Sequence, residues 1–316
     1  MSKSKVSIVG AGGNVGSIVA YSIAMQGLAH EVVLVDRDVP RAKGKALDMN
    51  QAAAALRTHS VVKAAESYED VRDSSVVVIT AGFPRKEGMS RDDLLMKNAE
   101  VIRDIIGNVK EVAPESILII VTNPLDTMTY LAIKDSGFDP KRVIGMAGIL
   151  DGARMTHFIH EKHGYGAGQI RATVIGGHGD YMVPLIRYST VAGIPLTDLL
   201  SYEDIAEIVE RTKKGGAEIV KLLGTSAYFA PGKAAAIMVE AILKDSKKIY
   251  PCATLLNGEY GYKDVVNGVP VMLGRGGVEK IIEVSLNETE KSQFRKSVES
   301  VQELIKVLKE KEFIKD

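Results

Sequence analysis

The chain has 316 residues, with 40 Lys+Arg against 40 Asp+Glu and therefore no formal net charge; 46% of residues are hydrophobic and 25% charged. On a prior of ~150 residues per domain that length suits about two domains and allows a large core. The balanced charge argues against a nucleic-acid binder that relies on bulk basicity and against a charged disordered chain, while a local positive cleft for small anions stays possible.

The first half alternates short β-branched runs with longer helical patterns. In chain order, 6–9 reads as a strand, 14–28 as a helix, 32–35 as a strand, 40–57 as a helix, 76–79 as a strand, 91–111 as a helix, 117–121 as a strand, 125–135 as a helix and 143–144 as a strand. Uninterrupted apolar runs suit strands buried on both faces, as in a parallel sheet. The βαβα rhythm implies a doubly wound α/β domain whose ligands bind at the carboxyl edge of the strands. The second half changes character. Strand-like stretches near 170–176 and 182–187 precede helices near 202–222 and 229–244, and a β-rich stretch from 250 to 285 carries the hairpin signals Asn257-Gly258, Asn267-Gly268 and Gly276-Gly277. Asn287 with Glu290 caps a last helix whose apolar stripe is Phe294, Val298, Val301, Ile305 and Leu308. This predicts residues 1–147 as a doubly wound domain and 148–316 as an α+β domain. The one cysteine, Cys252, cannot close an internal disulfide. With neither a signal-peptide pattern nor a run of about 18 apolar residues, the expectation is a cytoplasmic protein with no membrane partner.

Gly10-Ala11-Gly12-Gly13-Asn14-Val15-Gly16 follows the first strand and opens the first helix. Such a turn lets backbone N–H groups and a helix N-terminus approach a pyrophosphate. The spacing fits a G-x-x-G-x-x-G form through Gly10, Gly13 and Gly16. Asp36 ends the second strand, 36 − 16 = 20 residues after Gly16, where an acid binds ribose hydroxyls and repels a 2′-phosphate. Together these predict a Rossmann-type first domain that binds NAD rather than NADP, with Arg37 beside the acid as an opposing charge. Oxidising an alcohol with such a cofactor needs a base near neutrality, the range of histidine. Of six histidines, His178 stands apart in Ile175-Gly176-Gly177-His178-Gly179-Asp180, where flanking glycines leave room for a substrate. Either that role or a turn histidine satisfied by backbone fits its context. His157, His160 and His163 lie at helical spacing, and His160-Glu161-Lys162-His163 is one residue short of the H-E-x-x-H zinc pattern, so they read as helix-surface side chains and no metal is expected.

Several motifs in order, Gly10 to Gly16, Thr80-Ala81-Gly82, Arg85 to Arg91, Thr122-Asn123-Pro124-Leu125-Asp126, Leu150-Asp151-Gly152-Ala153-Arg154 and Gly177-His178-Gly179-Asp180, resemble the lactate/malate dehydrogenase family over essentially the whole chain. Within it the likeness is greatest to the malate-type members of the lactate-dehydrogenase-like group. The resemblance implies His178 as proton donor and acceptor and Asp151 as its partner carboxylate. It implies Arg154 as the fork for the substrate's C1 carboxylate, a task that suits a planar guanidinium. Arg91 resembles the loop arginine that polarises the reacting carbonyl. Asn123 resembles the residue touching both substrate and nicotinamide ribose, and Asn98 and Val121 resemble further cofactor contacts.

Arg85 lies 91 − 85 = 6 residues before Arg91, at the family position that reads the substrate's far end. Malate-type members carry Arg there and lactate-type members Gln, so a dicarboxylate is expected, with a lactate-type or broader 2-hydroxyacid dehydrogenase as the alternative. A unit-charge pair at 4 Å is worth ~4 kcal/mol at an effective dielectric of about 20, or on the order of 10³-fold in preference. The resemblance further implies a homo-oligomer, tetramer or dimer.

Overall fold

The computed structural model describes residues 4–84 and 90–314. Six parallel strands carry the first half: β1 (Lys5–Val9), β2 (Glu31–Val35), β3 (Val61–Ala64), β4 (Val76–Ile79), β5 (Ile117–Ile120) and β6 (Val143–Gly145). The run Val-Val-Val-Ile of β4 and the run Ile-Leu-Ile-Ile of β5 are buried at every residue, as two-sided strands must be. β3 was not expected. It is an edge strand with Val61 and Lys63 exposed, so its sequence lacks the apolar run that marks the others. Helices α1 (Asn14–Met25), α2 (Val39–Leu56), α3 (Arg91–Val112) and α4 (Leu125–Ser136) alternate with these strands. The strand order β3-β2-β1-β4-β5-β6 reverses direction between β1 and β4, and that crevice is where a doubly wound sheet receives its ligand.

The long helix α5 (Gly148–His163) leads into short strands β7 (Ile170–Arg171), β8 (Val174–Ile175), β9 (Val183–Pro184), β10 (Thr190–Val191) and β11 (Ile194–Pro195). There follow α6 (Leu196–Leu199), α7 (Tyr202–Leu223), α8 (Phe229–Leu243), β12 (Lys248–Asn257), β13 (Lys263–Gly274), β14 (Gly277–Ile281) and α9 (Glu288–Glu310). The last three strands do not build a sheet of their own. They extend the parallel sheet antiparallel beyond β6, joined to it through Ala253 opposite Gly145. One apolar core therefore runs from Val6 to Ile314, and a smaller cluster around Met155, Ile159, Met182 and Ile208 fills the space between α5 and α7.

The Asn267-Gly268 pair, expected to mark a hairpin, does not form a turn. Both residues lie inside β13, whose partner β12 continues past them. Asn267 is buried and bonds the Gly268 amide, and a Cβ on Gly268 would stand 2.3 Å from the Gly176 carbonyl oxygen. The pair answers a close approach of the His178 loop, not a turn. The Asn287 cap with Glu290, by contrast, closes a capping box at the start of α9, and its apolar stripe is buried.

Candidate active site

The glycine turn is set by packing. Gly10 has φ +89°, and a Cβ there would stand 2.5 Å from the Ala81 nitrogen, so only glycine passes between β1 and the end of β4. Gly13 caps α1, whose first N–H groups have no partner within the helix. Asp36, at the end of β2, accepts the Gly12 N–H at 2.7 Å and the Asp38 N–H at 3.0 Å, which holds its carboxylate beside the turn. A cleft of about 520 Å3 opens here, lined by Gly10, Asp36, Tyr68, Ala81, Val101 and Ile105 among others. An apolar slot beside a carboxylate and a helix N-terminus fits the adenosine and pyrophosphate of NAD.

Lys45 belongs to this construction although nothing in the local sequence singled it out. From α2 its Nζ donates to the Gly12 carbonyl at 2.8 Å and to the Ser17 hydroxyl, tying α2 to the turn. Burial lowers its pKa, aided by Arg41 and opposed by Asp36. Asn98, on α3, is buried. Its Oδ1 accepts the Phe83 N–H at 2.7 Å and its Nδ2 donates to the Asn123 carbonyl at 2.6 Å, so its amide joins the loops after β4 and β5. Val121 is buried at the end of β5, while Asn123 beyond it is exposed.

His178 stands in the loop between β8 and β9. Its Nδ1 lies 2.9 Å from Asp151 Oδ2, and Asp151 Oδ1 accepts from Arg154 Nη1 at 3.2 Å. Asp151 is 1% exposed, so the Asp151–Arg154 pair is an interior one. The reading of His178 as a turn histidine satisfied by backbone gives way to a ring held by a buried carboxylate. With a hydrogen on Nδ1 facing Asp151, Nε2 is left for another partner. Burial works against the imidazolium, but the charge and hydrogen bond of Asp151 outweigh it, with help from Asp126 and against Arg154; the net pKa is raised above 6.5. The buried Nε–H of Arg154 has no acceptor among the described residues.

The sequence motifs underplayed two further side chains. Asp126, at the start of α4, accepts the His178 backbone N–H at 2.9 Å. Ser297, on α9, accepts the Gly177 N–H at 2.6 Å. Asp126 closes the Thr122–Asp126 motif, whose sequence alone assigns it no role; Ser297 is 120 residues from the peptide it holds, and no local pattern points to it. His157 lies 3.8 Å from Glu161, His163 3.7 Å from Asp204, and His160 Nδ1 2.7 Å from the Tyr165 carbonyl, each with its own neighbour. Arg85 lies outside the described residues. Arg91 begins α3, and its side chain is likewise outside them.

A dinucleotide cleft at the sheet's switch point, together with a buried carboxylate–imidazole pair in the same chain, marks an NAD-binding oxidoreductase. The chain belongs to the lactate/malate dehydrogenase family: the family's NAD binding domain matches residues 4–145 and its alpha/beta C-terminal domain matches residues 149–312. It is 73% identical to the malate dehydrogenase of a Nitratiruptor species over 98% of each chain. Among solved structures it is similar to the malate dehydrogenase of Salinibacter ruber, with a TM-score of 0.93 at 48% identity over 97% of this chain and 98% of that one. It is also similar to the lactate dehydrogenase of Cryptosporidium parvum complexed with lactic acid and the nicotinamide cofactor, with a TM-score of 0.93 at 37% identity over 98% of this chain and 99% of that one.

Proposed function

We propose that the protein is an NAD-dependent malate dehydrogenase, interconverting malate and NAD with oxaloacetate and NADH. The observation that carries the chemistry is the chain of contacts from Arg154 through Asp151 to His178. NAD, when bound, would supply the acceptor for the hydride leaving C2 of malate, and NADH its donor to oxaloacetate in the reverse direction. His178 Nε2 takes the hydroxyl proton as the C2–O bond becomes a carbonyl, and the imidazolium returns it on reduction. Asp151 orients the ring and offsets its positive charge. Arg154 grips the C1 carboxylate with its free donors, and Arg91 polarises the carbonyl. Arg85 pairs the second carboxylate. Gly10, Gly12, Gly13, Asn14, Val15, Gly16 and Asp36 hold the adenosine diphosphate half of the cofactor, with Val121, Asn123 and Asn98 nearer the nicotinamide. Residues 1–147 serve as the cofactor domain and 148–316 as the substrate domain, divided near the end of β6.

Malate is favoured over lactate by Arg85 at the specificity position and by the names of the similar curated proteins. We read the enzyme as a cytoplasmic homo-oligomer, tetramer or dimer, of the tricarboxylic acid cycle. Association is supported by exposed apolar side chains: Tyr21, Leu47 and Leu56 on α1 and α2, and Val220, Leu222 and Leu223 at the end of α7. The test is NADH formation from NAD with malate and, separately, with lactate, without added metal. Malate is expected to be the much better substrate; equal or better turnover of lactate would contradict the reading.

A further inference from the structure

The loop that carries His178 is held from three directions. The Gly176 N–H donates to the Gly268 carbonyl of β13 at 2.8 Å. The Gly177 N–H donates to Ser297 Oγ of α9, itself buried beside Asn267. The His178 N–H donates to Asp126 Oδ2 of α4. Two of these anchors are neutral, and a neutral acceptor is enough to fix a peptide. The third is a carboxylate, 5% exposed, placed where desolvation penalises a charge. Its other oxygen, Oδ1, is buried with no hydrogen-bond partner among the described residues. An Asn or Ser would hold the same N–H at less cost, so the charge itself calls for a role.

Among the described residues, the cation this charge acts on is the His178 imidazolium. From the loop, Asp126 faces His178; from α5 it faces Asp151, whose like charge opposes it; among the described residues no charged group of α9 or β13 is recorded acting on it. Arg154 is engaged with Asp151, on the far side of the ring's Nδ1. We propose that Asp126 is a positioning residue for the proton transfer, holding the His178 peptide in place and supplying, behind the imidazole, a second negative charge that favours its protonated form. This rests on reading His178 as the proton donor and acceptor. Burial pushes the Asp126 carboxyl up to about 6; hydrogen bonds from the His178 and Asp126 amides and the His178 charge pull it down, and Asp151 pushes it up. The carboxylate is thus ionised at neutral pH, and its charge fades in mild acid.

Asp126→Asn keeps an acceptor for the His178 N–H and removes the charge. Oxaloacetate reduction needs the imidazolium, so its rate falls as pH rises through the His178 pKa. In the variant that alkaline limb is expected about one pH unit lower than in the wild type, with NADH affinity within about twofold. Ser297→Ala keeps the charge and loosens the loop; it is expected to lower kcat several-fold and leave the limb in place. An alkaline limb unmoved in Asp126→Asn would overturn the proposal, since Asp126 would then be one more peptide anchor. The wild type supplies a second readout. Followed by NMR with labelled histidine, the His178 ring is expected to show, besides its own titration, an inflection near the Asp126 value of about 6. A single step would overturn the proposal even if the Asn variant did not fold. A wild type that turns over no 2-oxoacid yet shows both steps would instead contradict the function assigned to His178 and leave the coupling standing.

Discussion

Asp126 and His178 both make the fold less stable as pH rises, one through a growing cost and the other through a fading contribution. The folded pKa of His178 is raised, so its pairing stabilises the fold fully below the unfolded value near 6.5 and is lost as pH rises through the folded one. The folded pKa of Asp126 is also raised, but for an acid this is a cost: absent below its unfolded value of 3.8, and fully present above about 6. The difference of roughly two units bounds that cost at about 3 kcal/mol. Urea unfolding of the wild type and Asp126→Asn at several pH values checks this. The stability of the variant relative to the wild type is expected to rise between about pH 4 and 7. A difference that stays flat would mean the carboxylate carries no such penalty.

Among the elements, α9 links stability to the site. Its capping box at Asn287 and its stripe from Phe294 to Leu308 seat it on the sheet, and the same helix presents Ser297 to the Gly177 peptide. Asn287→Ala is expected to cost about 1 kcal/mol in urea unfolding and to leave NADH affinity unchanged, since the cap is far in sequence from the glycine turn. A loss of NADH binding without a loss of stability would contradict that division of labour. These elements also show how far a sequence can be read. Strands buried on both faces, such as β4 and β5, were legible because burial demands unbroken apolar runs. The glycine turn with Asp36 was legible because both follow from fixed spacing along one βαβ unit. The edge strand β3 was not, since half of it faces water. The interior place of Asn267-Gly268 was hidden because its cause is the Gly176 peptide, distant in the chain. Ser297 and Lys45 were missed for the same reason: each serves a backbone group that only the fold brings near.

Over the whole molecule, the antiparallel β12, β13 and β14 extend the cofactor-binding sheet, so both halves share one core. The apolar side chains left on α1, α2 and the end of α7 suit burial against further copies of the chain. On the proposed self-association, replacing Leu222 and Leu223 by Lys is expected to lower the mass seen by sedimentation toward the monomer; an unchanged mass would contradict a contact through the end of α7. Recognition of the second carboxylate by Arg85 is tested by the ratio of kcat/KM for oxaloacetate to that for pyruvate, measured in the wild type and in Arg85→Gln. The wild type is expected to prefer oxaloacetate strongly, and the ratio to fall on the order of 10³-fold in the variant. A wild type that prefers pyruvate, or a ratio that Arg85→Gln leaves unchanged, would contradict it.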